Sequence, residues 1–445
     1  MSLRPLRIAT TNQLAHSVRK AGFDAYVLPD PPAPDIQRGM HRRLNDGEIY
    51  RPFLEKHDIE LVVDFNTGAL TFSRSETNEG QTALTTAQLG IPYVSCLLDP
   101  ITSVMREMRW DQRWHILENP NWFKGISDQA HGEELARMGI PGLLNLPIAA
   151  GDDDFDTRPL PAPDPGPVVS FMGHPATTFF RSNIAKTPNE LYPGILAAAV
   201  QADMPDLPFH KIYYDLYHQA DPPATTDDPM VRAKKSGEYF DAKFMYNLFL
   251  AVKQRDRFAC FLKAKLGDNF ELIGDFWKRD LGLEHTPRIW DMKLLHERMR
   301  KVPICLNLTK GCAETGLNLR HFEITAHGGF MLTYPMAELE SSFVVGQECD
   351  VFHNEEELLE KIAYYLEHPK ERTEIALAGQ RRTLSEHLGS HRIGSLVAML
   401  RQQGILSAPV SSPSYARKEA ISAPRLDQLS RGRSGGAMFA PRNSG

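Results

Sequence analysis

Gly316-Leu-Asn-Leu-Arg-His-Phe-Glu-Ile-Thr-Ala-His-Gly-Gly329 sets a carboxylate, Glu323, inside an apolar helix start and follows it with a glycine pair. At helical spacing Phe322, Ile324 and Ala326 face a core, while Glu323 projects from the first turns toward the loop side. Gly328 and Gly329 end the helix. Upstream, Val302-Pro-Ile-Cys-Leu-Asn-Leu308 is an apolar run of strand length, and Thr309 to Thr315 is polar and turn-like. Downstream, Phe330-Met-Leu-Thr333 reads as the next strand, which completes one αβ unit. In open α/β sheets ligands bind beyond the carboxyl ends of the strands, where the loop 309–318 lies. A buried Glu323 there needs a partner, and a sugar or nucleotide hydroxyl is one. The free N–H groups of the helix start, or Arg320 three residues earlier, are others, and spacing alone favours these.

The first part of the chain alternates strand and helix signals. Leu6 to Ala9, Ala25 to Leu28, Ile59 to Asp64, Ile91 to Cys96, Trp122 to Ser127 and Gly142 to Leu146 read as strands. His16 to Gly22, Glu48 to Lys56, Gln81 to Leu89 (closed by Gly90) and His131 to Met138 read as helices, and the alternation predicts a parallel, Rossmann-like sheet over 1–150. From 151 to 167 the composition shifts to Asp and Pro, which reads as an interdomain linker. Its Asp152-Asp-Asp154 run invites a metal; a solvated carboxylate run is the favoured reading. Val168 to Gly173 and Phe270 to Gly274 open a second sheet over 168–404, interrupted by a helical, aromatic-rich insertion at about 188–265. Its aromatic stripe reads as core or as a cover over a cleft, with Tyr213, Tyr214 and Tyr217 as a remote sugar platform. Residues 405–445 are rich in Ser, Pro, Ala, Gly and Arg and are expected to be a disordered basic tail, able at most to touch an anionic partner or a membrane surface.

At 445 residues with a net charge of -6 the chain is long enough for two cores and gives no global reason to expect nucleic acid. Five scattered cysteines without a Cys-x-x-Cys pair argue against a disulfide framework or a zinc site, and point to reduced thiols in the cytoplasm. No signal-like stretch and no apolar run of spanning length is present, so any membrane contact is expected to be peripheral.

The run from Ile304 to about Leu400 resembles the C-terminal half of the CgeB-like (spore maturation protein) glycosyltransferases. The resemblance rests on Asn318, Arg320, the Phe322-Glu323 pair and Ala326-His-Gly-Gly329, and continues through Glu355 to Pro369, Glu371 to Gly379, His387 and His391-Arg392. It implies a GT-B fold, two Rossmann-like domains with parallel sheets facing a cleft, the last helix crossing back to the first domain. It further implies that Glu323 holds the ribose of a nucleotide-sugar donor, with Asn318 and Arg320 at the same pocket. A Phe-x-Gly then Arg pattern is similar to Phe171-Met-Gly173 and Arg181, and makes Gly173 and Arg181 donor-side candidates, with His174 beside them. Two departures stand out. His327 occupies a position where Cys is common, and Glu314 misses by one the seven-residue separation of paired glutamates in the broader retaining class.

The expected chemistry is sugar transfer from a nucleotide-sugar donor to a protein or a bacterial surface polysaccharide, without a metal and, by the wider resemblance, with retention. Basic side chains then stabilise the leaving diphosphate: Arg181 and Arg320, with Lys310 as a third candidate. In the first domain Asp99, at the carboxyl end of a strand, is either a general base for the acceptor or a helix N-cap followed by Pro100. His16 is a sugar contact or a surface residue. Two other readings remain: a nucleotide-sugar epimerase or hydrolase of the same fold, and a non-catalytic donor-binding scaffold.

Overall fold

The computed structural model describes residues 4–29, 47–66, 72–74, 82–101, 116–184, 194, 196–201, 204, 207–218, 228–309 and 313–407. Within Pro5–Ala408, one compact unit, the strands are β1 (Arg7–Thr10), β2 (Asp24–Val27), β3 (Leu61–Phe65), β4 (Phe72–Arg74), β5 (Thr82–Leu84), β6 (Tyr93–Leu97), β7 (Trp122–Ile126), β8 (Leu143–Asn145), β9 (Val169–Met172), β10 (Phe270–Ile273), β11 (Ile304–Asn307), β12 (Met331–Thr333) and β13 (Asp350–Val351). They form a six-stranded sheet in the order β2-β1-β3-β6-β7-β8 and a five-stranded sheet in the order β10-β9-β11-β12-β13. Every pairing in both sheets is parallel. The expected GT-B arrangement of two Rossmann-like domains is therefore the observed one.

Parallel strands buried on both faces read as continuous apolar runs, and the central ones do. Leu61, Val62, Val63, Ile304, Cys305 and Leu306 are all buried. The order in which strands are added reverses between β1 and β3 in the first sheet and between β9 and β11 in the second. Such switch points open crevices beyond the carboxyl ends of the strands.

Two local readings change, and for the aromatic insertion the core alternative is the one realised. The predicted helix Gln81 to Leu89 is half strand: Thr82–Leu84 pairs antiparallel with Phe72–Arg74, and only Thr85–Gln88 is helical before Gly90 takes φ +67°. The Asp152 carboxylate is buried, not solvated. It accepts the Ser390 N–H at 2.7 Å and the Ser390 hydroxyl at 2.6 Å, at the start of helix Gly389–Gln402, while Asp153 and Asp154 are exposed. The aromatic insertion packs mostly on the first sheet, where Phe209, Tyr213, Tyr214, Tyr239 and Tyr246 share one apolar cluster with Trp122 and Leu135, while Phe258 and Leu262 at its end join the second core. The Tyr214 and Tyr239 rings stack at 5.1 Å, so Tyr213 and Tyr214 are core residues and form no sugar platform. The side chain of Tyr217 lies outside the described residues.

Helix Gly389–Gln402 does cross back. Ile393, Leu396, Val397 and Leu400 pack with Ile8, Leu14, Val18 and Leu61 of the first domain. No helix among the described residues is long and apolar enough to cross a membrane. The basic tail from residue 408 onward lies outside the described residues.

Candidate functional site

The carboxyl ends of the two sheets face one cleft of about 830 Å³. Leu98 and Asp99 after β6 and Ser127 and Asp128 after β7 line it from the first domain. Gly173 and His174 after β9, Gly274 after β10 and Leu308 after β11 line it from the second, joined by Arg255, Asn318, Arg320 and Glu323.

Helix Leu319–Ala326 supplies the polar wall. Asn318 is its N-cap: the side-chain oxygen accepts the Arg320 N–H at 3.0 Å, and the amide donates to Asn307 at 3.3 Å. The Asn318 N–H donates to Nδ1 of His321 at 3.1 Å, so the neutral ring keeps its proton on Nε2, 3.2 Å from the Thr333 hydroxyl. Burial lowers the pKa of His321 to about 4, which fixes that neutral form. The predicted core residues Phe322, Ile324 and Ala326 are buried, and Gly328 closes the helix at φ +77°. Glu323 is thereby left on the cleft side, paired with Arg320 at 2.7 Å. Burial raises its pKa, the Arg320 charge opposing it. The ion pair and the cleft position hold together. Arg320 thus fixes one oxygen of a carboxylate that lines the cleft.

At the second sheet's switch point the cation is Arg255, which the sequence reading passed over. Its guanidinium donates to the His174 carbonyl after β9 at 3.2 Å and to the Leu308 carbonyl after β11 at 3.3 Å. It lies on the π-helical turn Val252–Asp256. A π turn rotates residues out of the α periodicity, and this is why helical spacing did not reveal it. Gly173 and Gly274 let the chain pass closely here; a Cβ on Gly274 would collide with the Gly173 carbonyl. His174 accepts the Asp275 N–H on Nδ1 at 2.9 Å, leaving the ring proton on Nε2, and burial holds its pKa below the usual histidine value.

Arg181 is corrected by the same region. It is exposed on helix Ala176–Ile184 and does not line the cleft. The N-terminus of that helix is also closed to an incoming phosphate, because Asp256 accepts the N–H groups of Ala176 and Thr177 at 2.8 and 2.7 Å and the Thr177 hydroxyl at 2.7 Å. Lys310 lies outside the described residues. His16 is exposed on helix Asn12–Lys20 and lies off the cleft lining.

On the facing wall Asp99 accepts the Asn66 amide at 2.9 Å. Asn66, at φ +54° after β3, in turn accepts the backbone N–H groups of Leu98 and Asp99. This clamp holds Asp99 toward the cleft; the segment it was alternatively expected to cap, beyond Ile101, lies outside the described residues. Glu314 is engaged away from any sugar. Its carboxylate pairs with Lys243 and accepts the Phe209 N–H at 2.6 Å, and Lys243 also pairs with Glu134 at 3.3 Å.

Residues 254–398 match a family model described as Glycosyl transferase-like. No curated protein sequence matches the chain. Among solved structures, a sucrose-phosphate synthase from Thermosynechococcus elongatus is similar at 12% identity and TM-score 0.46, over 90% of this chain and 99% of that one. A putative UDP-N-acetylglucosamine 2-epimerase from Listeria monocytogenes is similar at 9% identity and TM-score 0.41, over 92% and 100%. The Anabaena protein HepE, in complex with UDP and glucose, is similar at 9% identity and TM-score 0.41, over 90% and 100%. The matched segment runs from the Arg255 turn through Arg320 and Glu323 into the final helix, so the similarity to the Glycosyl transferase-like family covers this wall of the cleft.

Proposed function

We propose that the chain transfers a sugar from a nucleotide-sugar donor held by the second domain to an acceptor entering from the first. The observation that carries this is the Arg320–Glu323 pair on the cleft wall, with Arg255 bridging the switch point of the same sheet. The Glu323 carboxylate accepts the ribose hydroxyls of the donor. Arg255 and Arg320 face the diphosphate and stabilise the charge that grows on it as the glycosidic bond breaks, which supplies leaving-group stabilisation from fixed cations without a metal. Gly173 admits the diphosphate to the backbone, and the His174 Nε2 proton is a further donor to it. Asp99, held by Asn66, receives or orients the acceptor hydroxyl proton. The acceptor class in this reading is a protein or a bacterial surface polysaccharide glycosylated in the cytoplasm, and the subfamily is the CgeB-like one, with retention of anomeric configuration.

A thermal-shift panel over UDP-, GDP-, CDP- and dTDP-sugars selects the donor, and mass-detected transfer to cell extract then tests the reaction. Transfer that disappears in Glu323→Ala supports the reading. Donor epimerised or hydrolysed without an acceptor points instead to the isomerase or hydrolase chemistry, and donor binding without turnover to a scaffold. Binding and transfer both intact in Glu323→Ala would remove the central assignment. An inverted anomeric centre in the first product would remove retention.

A further inference from the structure

Two clusters of histidine and carboxylate side chains stand among the described residues with their ligand atoms within 4.8 Å of one another. In His131, Glu134 and Glu314 the cation is already supplied by the Lys243 ammonium, which pairs with both carboxylates. Asp153, His296 and His327 form the other, and none of these three lines the cleft. Here the two imidazole rings stack at 3.5 Å between centroids with 16° between planes. Among the described residues, no Lys or Arg pairs with the Asp153 carboxylate and no group hydrogen-bonds to either ring.

The frame around these side chains is firmly tied. Arg300 donates to the His327 carbonyl at 3.2 Å and to the linker carbonyl of Arg158 at 2.9 Å. Gln380 donates to both the Ala326 and Asp156 carbonyls at 3.0 Å. Phe155 packs its ring on His327 at 5.1 Å. The linker that carries Asp153 is thus fixed against the helix end that carries His327, and His296 reaches the same point from helix Met292–Lys301.

We propose that Asp153, His296 and His327 bind one divalent transition-metal ion of the zinc class. Two imidazoles and a carboxylate are a common zinc donor set, with bonds of about 2.0–2.2 Å that place ligand atoms about 3.3 Å apart in a tetrahedron. The observed spread of up to 4.8 Å closes to that spacing only if the exposed Asp153 and the half-buried His296 turn inward, with a fourth position left for water. His327 follows Glu323 by one turn, its N–H donating to the Glu323 carbonyl at 3.2 Å. The ion would therefore fasten the linker to the helix that carries Arg320 and Glu323. This assignment does not depend on sugar transfer.

The test uses the tag-free full chain, stripped with a chelator and titrated with Co²⁺, whose visible absorption reports low-coordinate nitrogen and oxygen ligation. The expected result is about one Co²⁺ per chain, displaced by Zn²⁺, with Zn²⁺ raising the melting temperature of the wild type. Asp153→Ala and His296→Ala, neither of them a buried residue, should each weaken Co²⁺ binding about tenfold or more while melting at the temperature of the stripped wild type. Wild-type binding no tighter than that of the folded Asp153→Ala/His296→Ala double variant overturns the proposal. His327→Ala adds support if it folds and loses the band; if it does not fold, the other two variants decide.

Discussion

Oδ2 of Asp128, at the end of β7 in the first domain, accepts the backbone N–H of Gly316 from the second domain's loop at 2.9 Å. The same carboxylate accepts the N–H groups of Glu314 and Thr315 and the Thr315 hydroxyl. The contact is close because residue 316 is glycine; a Cβ there would lie 2.6 Å from the Ser127 carbonyl. The loop that leads into Asn318, Arg320 and Glu323 is thus fastened to the facing domain by one buried carboxylate.

Asp128→Ala should therefore destabilise the chain by about 1.5–3 kcal/mol in urea unfolding, the range for hydrogen bonds to a charged group. Burial alone would raise the Asp128 pKa, but His131 and the N–H groups of Gly316 and Thr315 outweigh it and hold it below its ordinary value of 3.8. A carboxylate depressed in the folded state contributes stability that is full above its unfolded pKa and is lost as pH falls through the folded one. The wild type should then lose stability below about pH 4 more steeply than Asp128→Asn. Parallel acid limbs for the two proteins would refute the latch.

Glu323 and Arg320 predict a pH dependence of donor binding. Burial raises the Glu323 pKa above 4.5 and the Arg320 charge opposes the rise. Ribose binding needs the carboxylate form as acceptor, so affinity falls as pH drops through the raised pKa. Arg320→Ala removes the opposing charge and should move that midpoint to higher pH, as well as weakening binding at pH 8. Glu323→Gln should abolish the dependence. Isothermal titration of the selected donor across pH 4–8 measures both, and a midpoint unmoved by Arg320→Ala contradicts the coupling.

Arg255 and Arg181 separate the two views of the leaving group. Arg255 spans the carbonyls beyond β9 and β11, whereas Arg181 is exposed off the cleft. Arg255→Ala should lower kcat by about 10²–10³, the loss on removing one preorganised donor, and Arg181→Ala should leave it within about twofold, as for a surface substitution away from the site. The reverse ranking in steady-state transfer assays would return the role to Arg181.

What the sequence made legible follows from how local the signal is. β11, helix Leu319–Ala326, Gly328 and β12 were readable because apolar periodicity and the glycine turn act within a few residues of each other. Glu323 was findable for the same reason. The latch made by Asp128 was not: one of its donors, the His131 N–H, is local, but the four from the facing domain lie 186 to 188 positions away along the chain. Arg255 lies on a π turn that breaks helical spacing, and Arg181 stands exposed on a helix whose start is capped by Asp256, 79 and 80 residues on, a contact no local pattern announces. Asp152 looked solvated in its Asp run, and only the returning last helix gives it a partner, Ser390.

Lys124 offers a stability measurement away from the cleft. Its buried ammonium donates to the Leu117 and Pro141 carbonyls at 2.7 and 3.0 Å, and burial lowers its pKa to about 7 from 10.5. A lysine depressed in the folded state leaves the unfolded chain binding the extra proton between those two values, so stability rises with pH there. Wild type should gain on Lys124→Met by up to about 1.4 kcal/mol per pH unit between pH 7 and 10. A constant difference across that window in urea unfolding would exclude a neutralised Lys124.

Asp99 tests the acceptor side without touching the donor. Its carboxylate lines the cleft on the first domain and is oriented by the Asn66 amide, while Glu323, Arg320 and Arg255 belong to the second. Asp99→Asn keeps the shape and the neighbouring backbone bonds to Asn66 but removes the base. Donor dissociation constants should stay within about twofold, whereas kcat should fall by about 10²–10⁴, the usual worth of a positioned general base. Asn66→Ala releases the clamp and should produce a smaller fall in kcat with Asp99 still present, partly through a raised acceptor KM. If Asp99→Asn turns over at the wild-type rate, the proton leaves by another group and Asp99 is confined to shaping the loop after β6.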